Sequence, residues 1–156
     1  MKIRIISFSK KTEPAIVQLE KEYLKRISRY AEVEILNLKR EEISPQGRSS
    51  EKIRKEDERL EKAIPPHAYC IMLGEKGKEL DSKEWAQFLD ERTKEGRGML
   101  CLVLGGPEGL SEQLEDKAHF RFSLSRLTFP HQLARLFLIE SLYRSFDLLH
   151  GGNYHK

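Results

Sequence analysis

The sequence predicts an α/β domain with a mainly parallel sheet flanked by helices. Three observations carry that reading. Strand-like and helix-like segments alternate about five times along the chain, the order that builds a parallel sheet through crossover helices. Two runs, Tyr69-Cys70-Ile71-Met72-Leu73 and Met99-Leu100-Cys101-Leu102-Val103-Leu104, are apolar without alternation, as strands are when both faces are covered. The 156 residues contain no long Gly/Ser or Pro-rich linker and no internal repeat, so residues 1–156 are expected to form one domain, long enough to bury a core.

Taken in order, residues 3–8 read as a short apolar strand. Thr12-Glu13-Pro14 then offers a capping residue, an acid and a first-turn proline, and Ile16, Leu19, Tyr23, Leu24 and Ile27 follow on one helical face. Residues 33–38 form a second strand, and Ser44-Pro45-Gln46-Gly47 opens a loop into a charged helix from about Glu51 to Ala63. Only Ile53, Leu60 and Ile64 give that helix an apolar stripe, and Pro65-Pro66 stops it. Between the two apolar strands, Asp81 and Glu84 have capping-box spacing, with Trp85, Phe88 and Leu89 as the buried face of the helix they start. Residues 120–124 alternate, as expected of a strand with one wetter face or at an edge.

The last helix, Pro130 to His150, places Leu133, Leu136, Phe137, Leu138, Ile139, Leu142, Tyr143, Phe146 and Leu149 around most of its circumference. A surface helix shows a stripe instead. Burial against both its own sheet and a second copy of the chain, a homodimer, accounts for this pattern; a central core helix is the plainer alternative. Glu140 and Arg144 stand at i,i+4 spacing for an ion pair.

Composition excludes more than it selects. Charged residues are 34% of the chain but the net charge is only +3, which permits a nucleic-acid partner without demanding one. Cys70 and Cys101 lie inside apolar runs and read as small buried strand residues, so a reducing, cytoplasmic setting is expected. The opening Met1-Lys2-Ile3-Arg4-Ile5-Ile6 is charged and too short in its apolar part for a signal peptide or membrane span, so the chain is expected to start at Met1 and no membrane partner is expected. His150 and His155 in a glycine-rich tail fall short of a zinc site, and no metal is expected.

In open parallel sheets ligands bind beyond the carboxyl ends of the strands, where the glycine-bearing loops after Leu73 and Leu104 are expected. The first strand ends in Ser7-Phe8-Ser9-Lys10-Lys11 without a glycine, which excludes a dinucleotide-type turn there, and Gly74-Glu75-Lys76-Gly77-Lys78 has the wrong spacing for a phosphate loop. Any cofactor therefore binds late in the chain. Gly105-Gly106-Pro107-Glu108-Gly109 lets backbone approach a ligand closely, and a second irregular loop runs from Leu124 to His131.

The pieces Leu-Gly-Gly-Pro-Glu-Gly-Leu (104–110), Leu-Ser-Arg-Leu-Thr-Phe-Pro-His (124–131), Glu-Ser-Leu-Tyr-Arg (140–144) and the terminal Tyr-His-Lys, together with the length and the opening Met-Lys-Ile, resemble the RlmH family (older name YbeA) of SPOUT-class ribosomal RNA large subunit methyltransferases. The match spans essentially the whole chain. It implies a SPOUT-type fold with a C-terminal trefoil knot, which no periodicity shows since connections are normally unknotted. It further implies a homodimer that uses S-adenosylmethionine to methylate N3 of a pseudouridine in 23S ribosomal RNA; the short chain, without an added RNA-binding domain, favours RNA presented by a large preformed particle, the assembled ribosome, over free RNA. Carried over by position, the cofactor contacts fall on Leu73, Gly105, Leu124, Ser125, Arg126, Leu127, Thr128 and Phe129, mostly through backbone groups. The family's tail often reads Pro-Tyr-His, whereas here Gly151-Gly152-Asn153 precedes Tyr154, so a more flexible tail is expected.

Methyl transfer to a ring nitrogen needs alignment, and a group that takes the N3 proton or steadies the developing anion. His131, Arg126, His155 and Lys156 are the candidates. Tyr154, His155 and Lys156 are also the candidates for RNA contact, the tyrosine by stacking. Lys10-Lys11, Lys39-Arg40, Arg48 and Lys52-Ile53-Arg54-Lys55 are candidates for a phosphate-binding rim, or else simply solvated charge. Two alternatives stand beside the ribosomal RNA enzyme: a non-catalytic ribosome-binding dimer, and a SPOUT methyltransferase acting on transfer RNA.

Overall fold

The computed structural model describes residues 1–8, 11–40, 49–95, 98–106 and 109–155. The elements run β1 (Lys2–Phe8), α1 (Pro14–Ile27), β2 (Glu32–Leu38), α2 (Ser49–Ala63), β3 (Tyr69–Glu79), α3 (Ser82–Lys94), β4 (Met99–Leu104), α4 (Glu112–Glu115), β5 (Phe120–Ser123) and α5 (His131–Leu149). Five strands form one parallel sheet in the order β2-β1-β4-β3-β5. The expected α/β architecture is thus present, and of the two readings of its alternation, a wetter face or an edge, β5 takes the edge.

Both faces of the sheet are covered, which is why the central strands are continuously apolar. On one face Ile3, Ile5, Ile71, Leu100 and Leu102 pack under α1, α3 and α5, with α5 lying between the other two. On the other, Ile6, Phe8, Met72, Cys101 and Val103 meet Leu60 of α2 and Leu114 of α4. Cys70 and Cys101 are buried free thiols, opposite one another on β3 and β4.

Local signals explain most boundaries. Asp81 accepts from Lys83 N and Glu84 N, and Glu84 returns a bond to Asp81 N, so α3 opens on the expected capping box. Helix α1 starts at Pro14 with Glu13 at its N-cap and no side-chain cap; Thr12, the expected capping residue, lies one position further out, and its hydroxyl accepts from Arg135 at 3.2 Å. The one-turn α4, capped by Ser111, is too short to leave a periodic trace in the sequence.

Two expectations need correction. The chain does not turn into a loop after Leu73: β3 continues to Glu79 through a bulge, pairing both Leu73 and Lys78 with Phe122. Gly77 is essential to this run, since a Cβ there would overlap the Phe122 backbone. Nor does the whole Lys52-Ile53-Arg54-Lys55 run present its charge to solvent, as the rim expectation had it. Lys52 faces inward with Glu56 and Leu60 on one buried row of α2, while Arg54 and Lys55 pair with Glu58 and Glu51 of the same helix. Lys10, Arg48 and the Ser44-Pro45-Gln46-Gly47 loop lie outside the described residues.

Candidate active site

Pairing brings three separated stretches to one place. Leu73 stands opposite Leu104 on one side and Phe122 on the other, so the chain leaving β4 at Gly105 and the chain leaving β5 at Leu124 flank the β3 bulge at the carboxyl edge of the sheet. The glycine loop is a tight turn: Gly109 N donates to Gly106 O at 2.9 Å, and Gly109 holds a φ of +80° that L side chains rarely adopt. A Cβ on Gly105 would sit 2.9 Å from Leu110 Cγ, because the loop folds back on itself. Pro107 and Glu108 lie outside the described residues.

The second loop is organised by hydroxyls. The Ser123 hydroxyl donates to Ser125 O at 2.9 Å, Leu127 N donates to the Ser125 hydroxyl at 3.1 Å, and the Thr128 hydroxyl donates to Glu75 of the β3 bulge at 2.9 Å. Leu124 and Phe129 are half-buried, Leu127 is 70% exposed, and the Arg126 side chain is 90% exposed with Glu79 as its nearest acid, at 3.8 Å. Apolar side chains with unspent surface beside strand-end backbone suit an adenosyl group that carries no phosphate, so these residues fit S-adenosylmethionine.

His131 opens α5. Its Nε2 is buried and has no hydrogen-bond partner among the described residues, and burial, followed by the charges of Arg135 and Arg40, holds the imidazole below its ordinary range. Behind it, Arg135 is 3% exposed and all five of its donors are used: Nε and one Nη on Glu20 at 2.7 and 3.0 Å, the others on Ser7, Asn37 and Thr12.

The tail forms a different cluster. Tyr154 OH donates to Glu140 at 2.9 Å and lies 3.1 Å from Tyr23 OH; its ring packs on Tyr143 with the Arg144 guanidinium 4.9 Å above it. Burial, then the bonds to Tyr23 and Glu140, push the phenol above its ordinary range. His155 Nδ1 lies 3.4 Å from Arg144, which also pairs with Glu140 as the spacing foretold. The glycines close a turn at the start of this tail. Gly152 N donates to Asp147 O, Tyr154 N donates to the Asp147 carboxylate, and a Cβ on Gly152 would overlap that carboxylate. Glycine is what lets the turn close on Asp147. Lys156 lies outside the described residues.

The proposed cofactor contacts thus converge on one edge, with Arg126 and His131 beside them, whereas Tyr154 and His155 sit elsewhere. Arg144 lies thirteen positions after His131 on α5, about 20 Å along the helix axis. Glu75, Glu140 and Tyr23 were not singled out as site residues from the sequence; of these only Glu140 had a signal, its spacing to Arg144. Among the described residues no group of three or more His, Cys, Asp or Glu is placed to hold a metal, and no helix is long and apolar enough to cross a membrane.

A family model described as predicted SPOUT methyltransferase matches residues 1–155. This chain belongs to the SPOUT methyltransferase family. Among relatives of this SPOUT methyltransferase, the ribosomal RNA large subunit methyltransferase H of Listeria monocytogenes is 40% identical over 160 residues, and those of Carboxydothermus hydrogenoformans and Bacillus pumilus are each 39% identical over 160. Each alignment covers 100% of both chains.

Proposed function

We propose that this chain methylates N3 of a pseudouridine in 23S ribosomal RNA, with S-adenosylmethionine as the methyl donor and the assembled ribosome as the substrate. The observation that carries the reading is the convergence of Leu73, Gly105 and the 124–129 loop on one strand edge. Leu73, Gly105, Leu124, Ser125, Leu127, Thr128 and Phe129 would hold the cofactor, which supplies an electrophilic methyl group when bound. Arg126, largely free in solvent, would meet an RNA phosphate. Tyr154, His155 and Lys156 would engage the RNA, with Arg144 steadying the ring as N3 loses its proton to His155.

His131 beside the loops and Arg144 beside the tail lie about 20 Å apart along α5, so one copy's tail would serve another copy's loops. Leu133 and Phe137 are exposed on α5, and Phe137 touches Phe129 of the loop at a ring separation of 5.1 Å. A homodimer meeting across this patch would cover it and bring the halves of the site together. A trefoil knot in the last third belongs to the same proposal, as does a cytoplasmic location, which suits two free, buried thiols.

Mass spectrometry of large-subunit RNA from a deletion strain, with and without the gene restored, tests the substrate. Loss and return of one methylated pseudouridine is expected. Change in transfer RNA only would overturn the choice of RNA, and the absence of S-adenosylmethionine binding in calorimetry would favour a non-catalytic binder. Deleting residues 154–156 is expected to spare cofactor affinity and abolish methylation. Monomeric sedimentation at micromolar concentration would count against the shared site.

A further inference from the structure

We infer that Tyr23 of α1 and Glu140 of α5 are positioning residues for the reaction: together they hold the C-terminal tail of their own copy in its working form before RNA arrives. This rests on the reading of the tail as the part that engages RNA. Tyr154 OH donates its single proton to Glu140 at 2.9 Å, so at the 3.1 Å contact between the two phenols the donor is Tyr23. Glu140 also pairs with Arg144, one turn further along α5, and Arg144 in turn reaches His155 Nδ1 at 3.4 Å. One carboxylate therefore fixes both the ring of Tyr154 and the cation beside His155.

Past α5 the chain reads Gly151-Gly152-Asn153, which has little preference for one conformation, so a tail without ties would have to be ordered at each encounter with substrate. The bonds to Asp147 close the turn, but they reach only the backbone of Tyr154. What directs its side chain comes from Glu140 and from Tyr23, which stands on a different helix and is itself fixed: its ring packs on Tyr143 at 6.0 Å with the Arg26 guanidinium 5.5 Å above it. Burial, then the bonds to Tyr23 and Glu140, keep the Tyr154 phenol protonated, so its bond to Glu140 persists at neutral pH. Half-buried polar ties of this kind add little to stability, so their use lies in direction. Groups that meet a reacting base repay such fixing, since shifts of about 1 Å carry large penalties in rate.

The test uses the full chain in steady-state kinetics on ribosomal substrate, calorimetry with S-adenosylmethionine, and timed carboxypeptidase digestion, which reads release of the tail. Tyr23→Phe removes one hydroxyl and keeps the ring; it is expected to lower kcat about tenfold, and Glu140→Gln more, toward about a hundredfold. In both, cofactor Kd and the urea midpoint are expected to stay at wild-type values while His155 and Tyr154 are released faster. Lys83→Gln, an exposed change on α3, is the control. Should Glu140→Gln fail to fold, Tyr23→Phe decides alone. Wild-type kcat in either folded variant, or a lowered kcat without faster release of the tail, would overturn the inference and leave the RNA reading intact. So would a cofactor Kd raised in step with the loss of kcat. Methylation that survives deletion of residues 154–156 would overturn the tail's role and this inference together.

Discussion

The carboxyl edge of the sheet is finished in two opposite ways. Beyond β1 and β2 a single buried guanidinium closes the edge: Arg135 reaches Ser7 on β1, Asn37 on β2, and Thr12 and Glu20 before and within α1. Beyond β3, β4 and β5 no such plug exists among the described residues, and the chain leaves in a bulge, a glycine turn and a loop braced from its margin by Thr128 and Glu75. Parallel strands end in polar backbone that must be met by something. In one half a buried charge network meets it; the other half, the one proposed to hold the cofactor, has only loops, with the Asp57 carboxylate on Ser111 N.

The closed half should break hardest. Arg135→Met strands the Glu20 carboxylate in a dry site and is expected to cost about 3–5 kcal/mol in urea unfolding, whereas replacing both partners by apolar residues is expected to cost much less. In the open half, Gly77→Ala forces β3 away from β5 and should cost about 1–3 kcal/mol, with weakened cofactor binding in the same samples. Thr128→Val sharpens the contrast. The residue is exposed, so stability should stay within about 0.5 kcal/mol while cofactor affinity falls severalfold by calorimetry.

The smallest effect lies at the boundary between the halves, at His131. Its imidazole is held below the ordinary value of 6.5, so the unfolded chain takes up a proton at a higher pH than the folded one. The corresponding stability is complete above about pH 6.5 and is lost as pH falls from there toward the folded value. Chemical unfolding at pH 7 and pH 5 should show the decline, and His131→Asn should flatten it.

The two halves also differed in how far they could be read from sequence. Apolar runs, the Asp81 capping box and helical spacing located every strand and every long helix, because each is a local pattern with a local cause. The late loops were found through their joint resemblance to a family, not through the glycines alone. What escaped was the side-chain chemistry that crosses the fold. Arg135 sits among apolar residues of α5, and nothing near it in sequence announces Glu20, Asn37 or Ser7 as partners. The polar run Glu75-Lys76-Gly77-Lys78 reads as a loop because the pairing that makes it strand comes from Phe122. Tyr154 was matched to RNA without any sign that Tyr23 and Glu140 hold its phenol.

The sheet order leaves β2 and β5 as its borders. Strand β2 carries Glu32 and Glu34, tied to Lys2 and Arg4, and β5 is four residues long with Arg121 bound to Asp116. Charge on one border and brevity on the other leave little template for a foreign strand. Crowding should therefore not drive this chain toward fibrils through its sheet, and copies that meet will do so by way of helices and loops.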